Sequence, residues 1–353
     1  MPKPRPVLNP PNPFESQHLE WEGPAPDVRL EVFEERAKTV VSENRSPDIG
    51  FRYSVNPYRG CFHGCTYCYA RSTHEFLGFG AGTDFDRRIV VKTNVAERLT
   101  AWLRRGVRPT EPIVFSGNTD CYQPLEASYE LTRRCLEACL AHRRSVGVIT
   151  KGTVIRRDAA LLGQLNRESS VRVTVSCAFA DDTLRRHFDP FAPPVRARLE
   201  TVRRLADEGV PVGVSVAPIV PGVNDSEIPE ILERAREAGA VHAFMTLVRL
   251  NDSVRPYFEA RLREVMPDRA DKVMNTLMAM RRGRTNGHFG HRMRGEGARW
   301  SVVEQLFETH RMRLGYPPAS PDGLAFDDLG PRPVARPEET RKKKPKRQLA
   351  LFE

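Results

Sequence analysis

The chain has 353 residues, 40% of them hydrophobic, which supports a sizeable core and exceeds one average domain, although α/β barrels of this length form single domains. No stretch approaches the ~20 uncharged apolar residues of a membrane span, and the proline- and charge-rich start has no apolar signal core, so a cytoplasmic protein without membrane contact is expected. Seven cysteines are an odd number for a disulfide framework, and a net charge of +10 points to a polyanionic partner such as nucleic acid.

In chain order, residues 1–48 are rich in proline and charge and read as an extension that wraps the core or stays mobile. From 49 to 285 short β-branched runs alternate with amphipathic segments. The runs predict strands over 51–56, 112–116, 146–150, 171–177, 212–219 and 244–250, and the 3.6-residue period predicts helices over 125–142, 159–167, 196–208 and 228–238. Alternation of this kind builds a parallel sheet, and six units suit a partial (β/α)6 barrel better than a closed eightfold one. An apolar run at 89–92 and a helix at 94–105 are extra material between the first two units. Helices over 257–266 and 269–281 follow the sixth. A C-terminal helical segment spans 286–317, with its helix at 299–314, and 318–353 reads as a disordered basic tail.

The loop after the first strand carries the chemistry. Cys61, Cys65 and Cys68 stand in Asn56-Pro57-Tyr58-Arg59-Gly60-Cys61-Phe62-His63-Gly64-Cys65-Thr66-Tyr67-Cys68, a C-x3-C-x2-C spacing. Thiolates are the usual holders of iron-sulfur clusters, and three of them leave one iron of a 4Fe-4S cluster open to another ligand. Two other readings of these residues stay open. A closed zinc site would add His63 or His74 to the three thiolates, and Cys65 with Cys68 could form a redox pair.

The three-cysteine spacing, with Tyr67 before its last member, resembles the signature of the radical S-adenosylmethionine (SAM) superfamily. Asn56-Pro57-Tyr58, the turn around Thr119-Asp120 with Tyr122-Gln123-Pro124, and Thr150-Lys151 are similar to its spore photoproduct lyase-related branch, over about residues 50–285. The resemblance implies a 4Fe-4S cluster on Cys61, Cys65 and Cys68, whose open iron is chelated by SAM, and reductive cleavage of SAM to a 5'-deoxyadenosyl radical. It also implies an electron donor such as flavodoxin or ferredoxin. For the SAM amino group it implies Ser116, Thr119 or Asp120 from the second strand's loop. Lys151 would meet the SAM carboxylate, Ser176 its carboxylate or ribose, and the backbone of Val220 and Pro221 the adenine side. Cys121 lies near the place where spore photoproduct lyase keeps a hydrogen-donating cysteine; the other reading is an inert buried thiol. Cys135, Cys139 and Cys177 read as core residues.

From Arg332 onward eight basic residues face three acidic ones, half of the chain's net charge. The tail ends in Gln348-Leu349-Ala350-Leu351-Phe352, which resembles the Gln-Leu-x-Leu-Phe peptide that binds the bacterial replicative sliding clamp. Loss of clamp binding on deleting residues 348–353 is the test of that expectation. Two rival functions remain at this level. One is a zinc-stabilised nucleic-acid-binding module, and the other is a clamp-tethered accessory protein without catalysis.

Overall fold

A computed structural model describes residues 29–106, 111–286 and 291–318. The clamp-like peptide and the basic run before it lie outside these residues. Ten strands are present among them: β1 (Glu31–Glu35), β2 (Val41–Glu43), β3 (Tyr53–Val55), β4 (Tyr58–Arg59), β5 (Arg88–Lys92), β6 (Ile113–Phe115), β7 (Val146–Thr150), β8 (Val171–Ser176), β9 (Val212–Ile219) and β10 (His242–Leu247). Six of these, β3, β6, β7, β8, β9 and β10, run parallel and lie side by side in chain order, with β2 antiparallel on the β3 edge. The β2 and β10 edges do not pair, so the curved sheet stays open, as a partial (β/α)6 barrel requires. A second sheet, in the order β1-β5-β4, takes up the extra apolar run.

The central strands are buried on both faces, one carrying Val146, Val148, Val171, Val173, Val212, Val214 and Val216 and the other Gly147, Thr174, Gly213 and Ser215. Valine therefore recurs at every second position of these strands, with small or polar residues between, so that the apolar run of each reads as an alternating one. Eight helices are interspersed with the strands, α1 (Thr83–Arg87), α2 (Val95–Leu103), α3 (Glu126–Tyr129), α4 (Leu131–Ala141), α5 (Ala159–Glu168), α6 (Asp182–Phe188), α7 (Val195–Asp207) and α8 (Ile228–Glu237), and of these α5, α7 and α8 pack on β8 or β9. Three more, α9 (Val254–Val265), α10 (Ala270–Met280) and α11 (Ala298–Arg313), follow the sixth strand.

Two features differ from the sequence expectation. The helix expected over 125–142 is two, broken at Glu130, whose φ of 51° is left-handed. The buried Glu126 carboxylate accepts hydrogen bonds from the backbone N–H of Thr132 (3.0 Å) and Arg133 (3.2 Å), and so caps α4 from outside the helix. The N-terminal extension also supplies β1 and β2, short exposed strands with charged residues and little of the alternation that marks a strand.

Because the six strands are parallel, all their carboxyl ends open on one side. Loops there form the usual ligand site of such sheets.

Candidate functional site

The cysteine loop leaves β4 through Gly60 (φ +79°) and turns again at Gly64 (φ +67°). A Cβ at position 60 would sit 2.9 Å from the Phe85 carbonyl oxygen, so both the conformation and the space demand glycine. The loop is held from four directions. Cys61 N–H donates to the Phe85 carbonyl (2.9 Å), and Thr66 N–H to that of Phe188 at the end of α6 (2.8 Å). Gln123 accepts from Phe62 N–H (3.0 Å) and donates to the Gly60 carbonyl (3.1 Å). The fully buried Arg71 donates to the carbonyls of Cys65 (2.8 Å) and Gly82 (2.7 Å) and to Asp86 (2.8 Å), while stacking on Tyr257. These bonds shape the loop before any ligand arrives.

All three thiols are free; Cys61 and Cys65 are buried and Cys68 is half-buried. Burial pushes the Cys65 thiol well above its ordinary value and that of Cys68 up to about 11, so a group binding them as thiolates has to bring its own positive charge. The imidazole Nε2 of His63 and the hydroxyl of Thr66, both within the loop, are buried without a hydrogen-bond partner, a cost that a bound polar group would remove. Among the described residues no three His, Cys, Asp or Glu side chains converge as a single ion requires. His74, one zinc-ligand alternative, gives its Nε2 to the Arg88 carbonyl (2.8 Å) and packs on Phe79 and Phe85. Thiols spread along one loop fit a multi-iron group in which each iron takes one cysteine.

Around this loop stand the strand-end residues. Asp120 accepts from the Thr150 hydroxyl (2.6 Å) and Tyr122 N–H (2.9 Å) on one oxygen. Its other oxygen accepts from Lys151 N–H (2.7 Å) and lies 3.3 Å from His63 Nδ1. Four protein donors occupy the carboxylate's acceptor sites, so Asp120 ties the loops after β6 and β7 to the cysteine loop. Thr119 donates its hydroxyl to the Tyr58 carbonyl (2.6 Å), and Ser116 (φ +70°) accepts from Cys121 N–H (2.7 Å). Ser176 accepts from the Ser215 hydroxyl (3.1 Å). Val220 donates its N–H to Asn224 (2.7 Å), whose amide also reaches the Ala178 carbonyl (2.6 Å). Cys121 is wholly buried in the main core, its thiol between Ser116 and Thr132 and pushed well above its ordinary value by burial.

The Asp120–His63 pair makes a pH-dependent contribution to stability. Burial alone would raise the Asp120 pKa, but His63 and the hydrogen bonds hold it down to about 2; burial would lower that of His63, but Cys61 and Asp120 raise it to about 9. The aspartate's share is present above its unfolded value near 3.9 and is lost as pH falls through the folded one. The histidine's share is complete below about 6.5 and is lost as pH rises through its folded value. In cluster-free protein Asp120→Asn should therefore cost about 2–3 kcal/mol near pH 5.5 and progressively less below about pH 3.5. Urea unfolding at the two pH values checks this, and a pH-independent difference would count against the pairing.

Two residues missed by sequence reasoning complete the site. The buried Asp189 carboxylate accepts from the Tyr67 hydroxyl, from Arg198 Nη2 (3.2 Å) and from the Cys65 thiol. Arg198, also buried, donates to the Ser176 carbonyl (3.0 Å) and the Pro193 carbonyl (2.8 Å). Lys151 Nζ lies 5.8 Å from the centre of the Tyr67 ring. Burial would lower the Lys151 pKa, but Cys65 and Asp189 outweigh it and hold the ammonium above the usual lysine range. The structure thus brings Tyr67, Lys151 and Ser176 together around Asp189 and Arg198, and leaves Cys121 in the core behind them. Arg198 is one arginine in a helix that carries several, and Asp189 is a lone acid before a proline; neither stands out in the sequence.

A family model described as the radical SAM superfamily matches residues 55–235, just over half of the chain. An uncharacterized protein of Mycobacterium tuberculosis is 39% identical over 222 residues, covering 62% of this chain and 65% of that protein, so the match spans just under two-thirds of the relative. A protein of Pseudomonas phage M6 named radical SAM Nalpha-GlyT isomerase is 25% identical over 225 residues, covering 63% of this chain and 45% of its own. Among solved structures, a spore photoproduct lyase mutant matches with a TM-score of 0.58 at 16% identity, covering 80% of this chain and 79% of that one. The lyase complexed with dinucleoside spore photoproduct matches at 0.56 and 15%, with the same coverage. At these identities the likeness shows a shared fold. No described helix is long and apolar enough to cross a membrane.

Proposed function

The chain belongs to the radical SAM superfamily, and on that premise we propose that it is an enzyme holding a 4Fe-4S cluster on Cys61, Cys65 and Cys68 and using SAM as co-substrate or cofactor. When bound, the two groups supply reductive cleavage of SAM to a 5'-deoxyadenosyl radical that takes a hydrogen atom from the substrate. The observation that carries this reading is the preformed three-thiol loop at the carboxyl ends of six parallel strands.

The chain's own residues have separable tasks. Gln123 and Arg71 fix the loop's backbone, so the thiols are presented at little cost in ordering. Lys151, kept charged by Asp189, offers an ammonium for a carboxylate. Asp120 and His63 brace the loop against the strand-two turn. The alternative roles of Ser116, Thr119, Ser176 and Val220 as SAM contacts belong to the same proposal.

Nucleic acid is the substrate class proposed. It is supported by the net charge of +10 and by the fold shared with an enzyme complexed with a dinucleoside photoproduct. The test is formation of 5'-deoxyadenosine by anaerobically reconstituted, chemically reduced protein. Colourless protein with one zinc per chain and no 5'-deoxyadenosine would overturn the reading in favour of a zinc-stabilised module.

A further inference from the structure

Arg249 lies two residues beyond the carboxyl end of β10, beside the cysteine loop. Its guanidinium sits 4.7 Å from the centre of the Tyr69 ring, and Tyr69 follows Cys68 directly. The ring is held in place because the Tyr69 hydroxyl donates to the Gly117 carbonyl (2.8 Å) and Asn251 reaches the Tyr69 carbonyl (3.3 Å). Arg249 itself is half-buried. Among the described residues it has no hydrogen-bond or ion-pair partner. Nearby arginines are committed: Arg292 holds Asp48 (2.6 Å), and Arg281 donates to the carbonyls of Leu247 (2.9 Å) and Val248 (3.0 Å).

A purely structural arginine would be expected to use its fork as Arg71, Arg198 and Arg281 do. Stacking on an aromatic ring leaves the edge of a guanidinium free for two parallel hydrogen bonds, the geometry that carboxylates and phosphates accept. Burial draws the Arg249 pKa below the usual arginine range, and the attraction of Tyr69 and Asp48 does not reverse this. Lys151, the candidate for the SAM carboxylate, directly follows β7, whereas Arg249 follows β10, and both cations act on Tyr69.

We propose that Arg249, backed by Tyr69, is an oxyanion subsite at the barrel mouth that takes a phosphate or carboxylate of the substrate rather than the carboxylate of SAM. This rests on the radical SAM reading and adds to it the requirement that the substrate be anionic.

The test compares wild type with Arg249→Met and Arg249→Lys in the full chain, reconstituted anaerobically. Iron and sulfide content and SAM-dependent 5'-deoxyadenosine formation report on the radical SAM reading, and both should match wild type in the variants. Phosphorus and carbon NMR line broadening of inorganic phosphate and acetate report on the subsite, and the two probes tell which oxyanion it prefers. Arg249→Met should weaken the preferred probe by about tenfold or more, with Arg249→Lys between, because an ammonium keeps the charge and loses the fork. SAM affinity should change less than about threefold. Equal broadening by wild type and Arg249→Met would overturn the proposal. So would a roughly tenfold loss of SAM affinity with anion binding retained, which would reassign the residue to the SAM carboxylate.

Discussion

Protein carrying Cys61→Ala should lose its iron and sulfide, from roughly four of each per chain to background, and with them all reductive cleavage of SAM. The expectation follows from the loop. Three thiols on one short turn are a minimal grip, each serving one iron, and removing one leaves two irons without a protein ligand. Cys65→Ala and Cys68→Ala should behave the same way. Cys135→Ala, Cys139→Ala and Cys177→Ala should keep full loading, because those thiols are buried core residues on α4 and at the end of β8. Anaerobic reconstitution followed by iron and sulfide analysis measures this directly. If Cys61→Ala protein binds as much of both as wild type, the cluster assignment is wrong.

The second large effect lies behind the loop. Asp189→Ala would leave Arg198 as a buried cation without its partner and remove an acceptor from the Tyr67 hydroxyl and the Cys65 thiol. Breaking one side of a buried pair costs about 3–5 kcal/mol, because the remaining charge stays desolvated. Asp189→Ala should therefore unfold at markedly lower urea, and the double variant Asp189→Ala with Arg198→Met should recover part of the loss, since it removes both charges. Burial would raise the Asp189 pKa, but Lys151 and Arg198 more than reverse this, so the carboxylate sits below its ordinary value. Its contribution is present above the ordinary aspartate value and disappears as pH falls through the folded one. Unchanged urea midpoints for the single variant at neutral pH would show that the pair does not brace the site.

Parts of this molecule are legible because the information is local. β7 and β9 lie at the positions that their valine runs predict, 146–150 and 212–219. Valine at every second position of both strands is a period-2 signal that needs no distant contact to be read. The cysteine loop is legible because its three thiols and the glycines that bend it fall within nine residues. The break between α3 and α4 is not legible. It depends on Glu126 folding back to cap Thr132 and Arg133, a contact that periodicity does not encode.

The sequence by itself determined the strand-helix alternation, the three-thiol loop and hence the superfamily. Only the tertiary structure decided what surrounds that loop. Asp189 is 122 residues from Tyr67, and Asn251 is 182 from Tyr69, yet each is a hydrogen-bond partner. Read along the chain, Asp189, Arg198 and Arg249 resemble the many charged residues that simply face water. Their roles come from burial, which removes competing solvent and makes an unpaired or shared charge costly enough to matter. Burial of a polar side chain is set by which strand ends the fold brings together, and no local pattern records it.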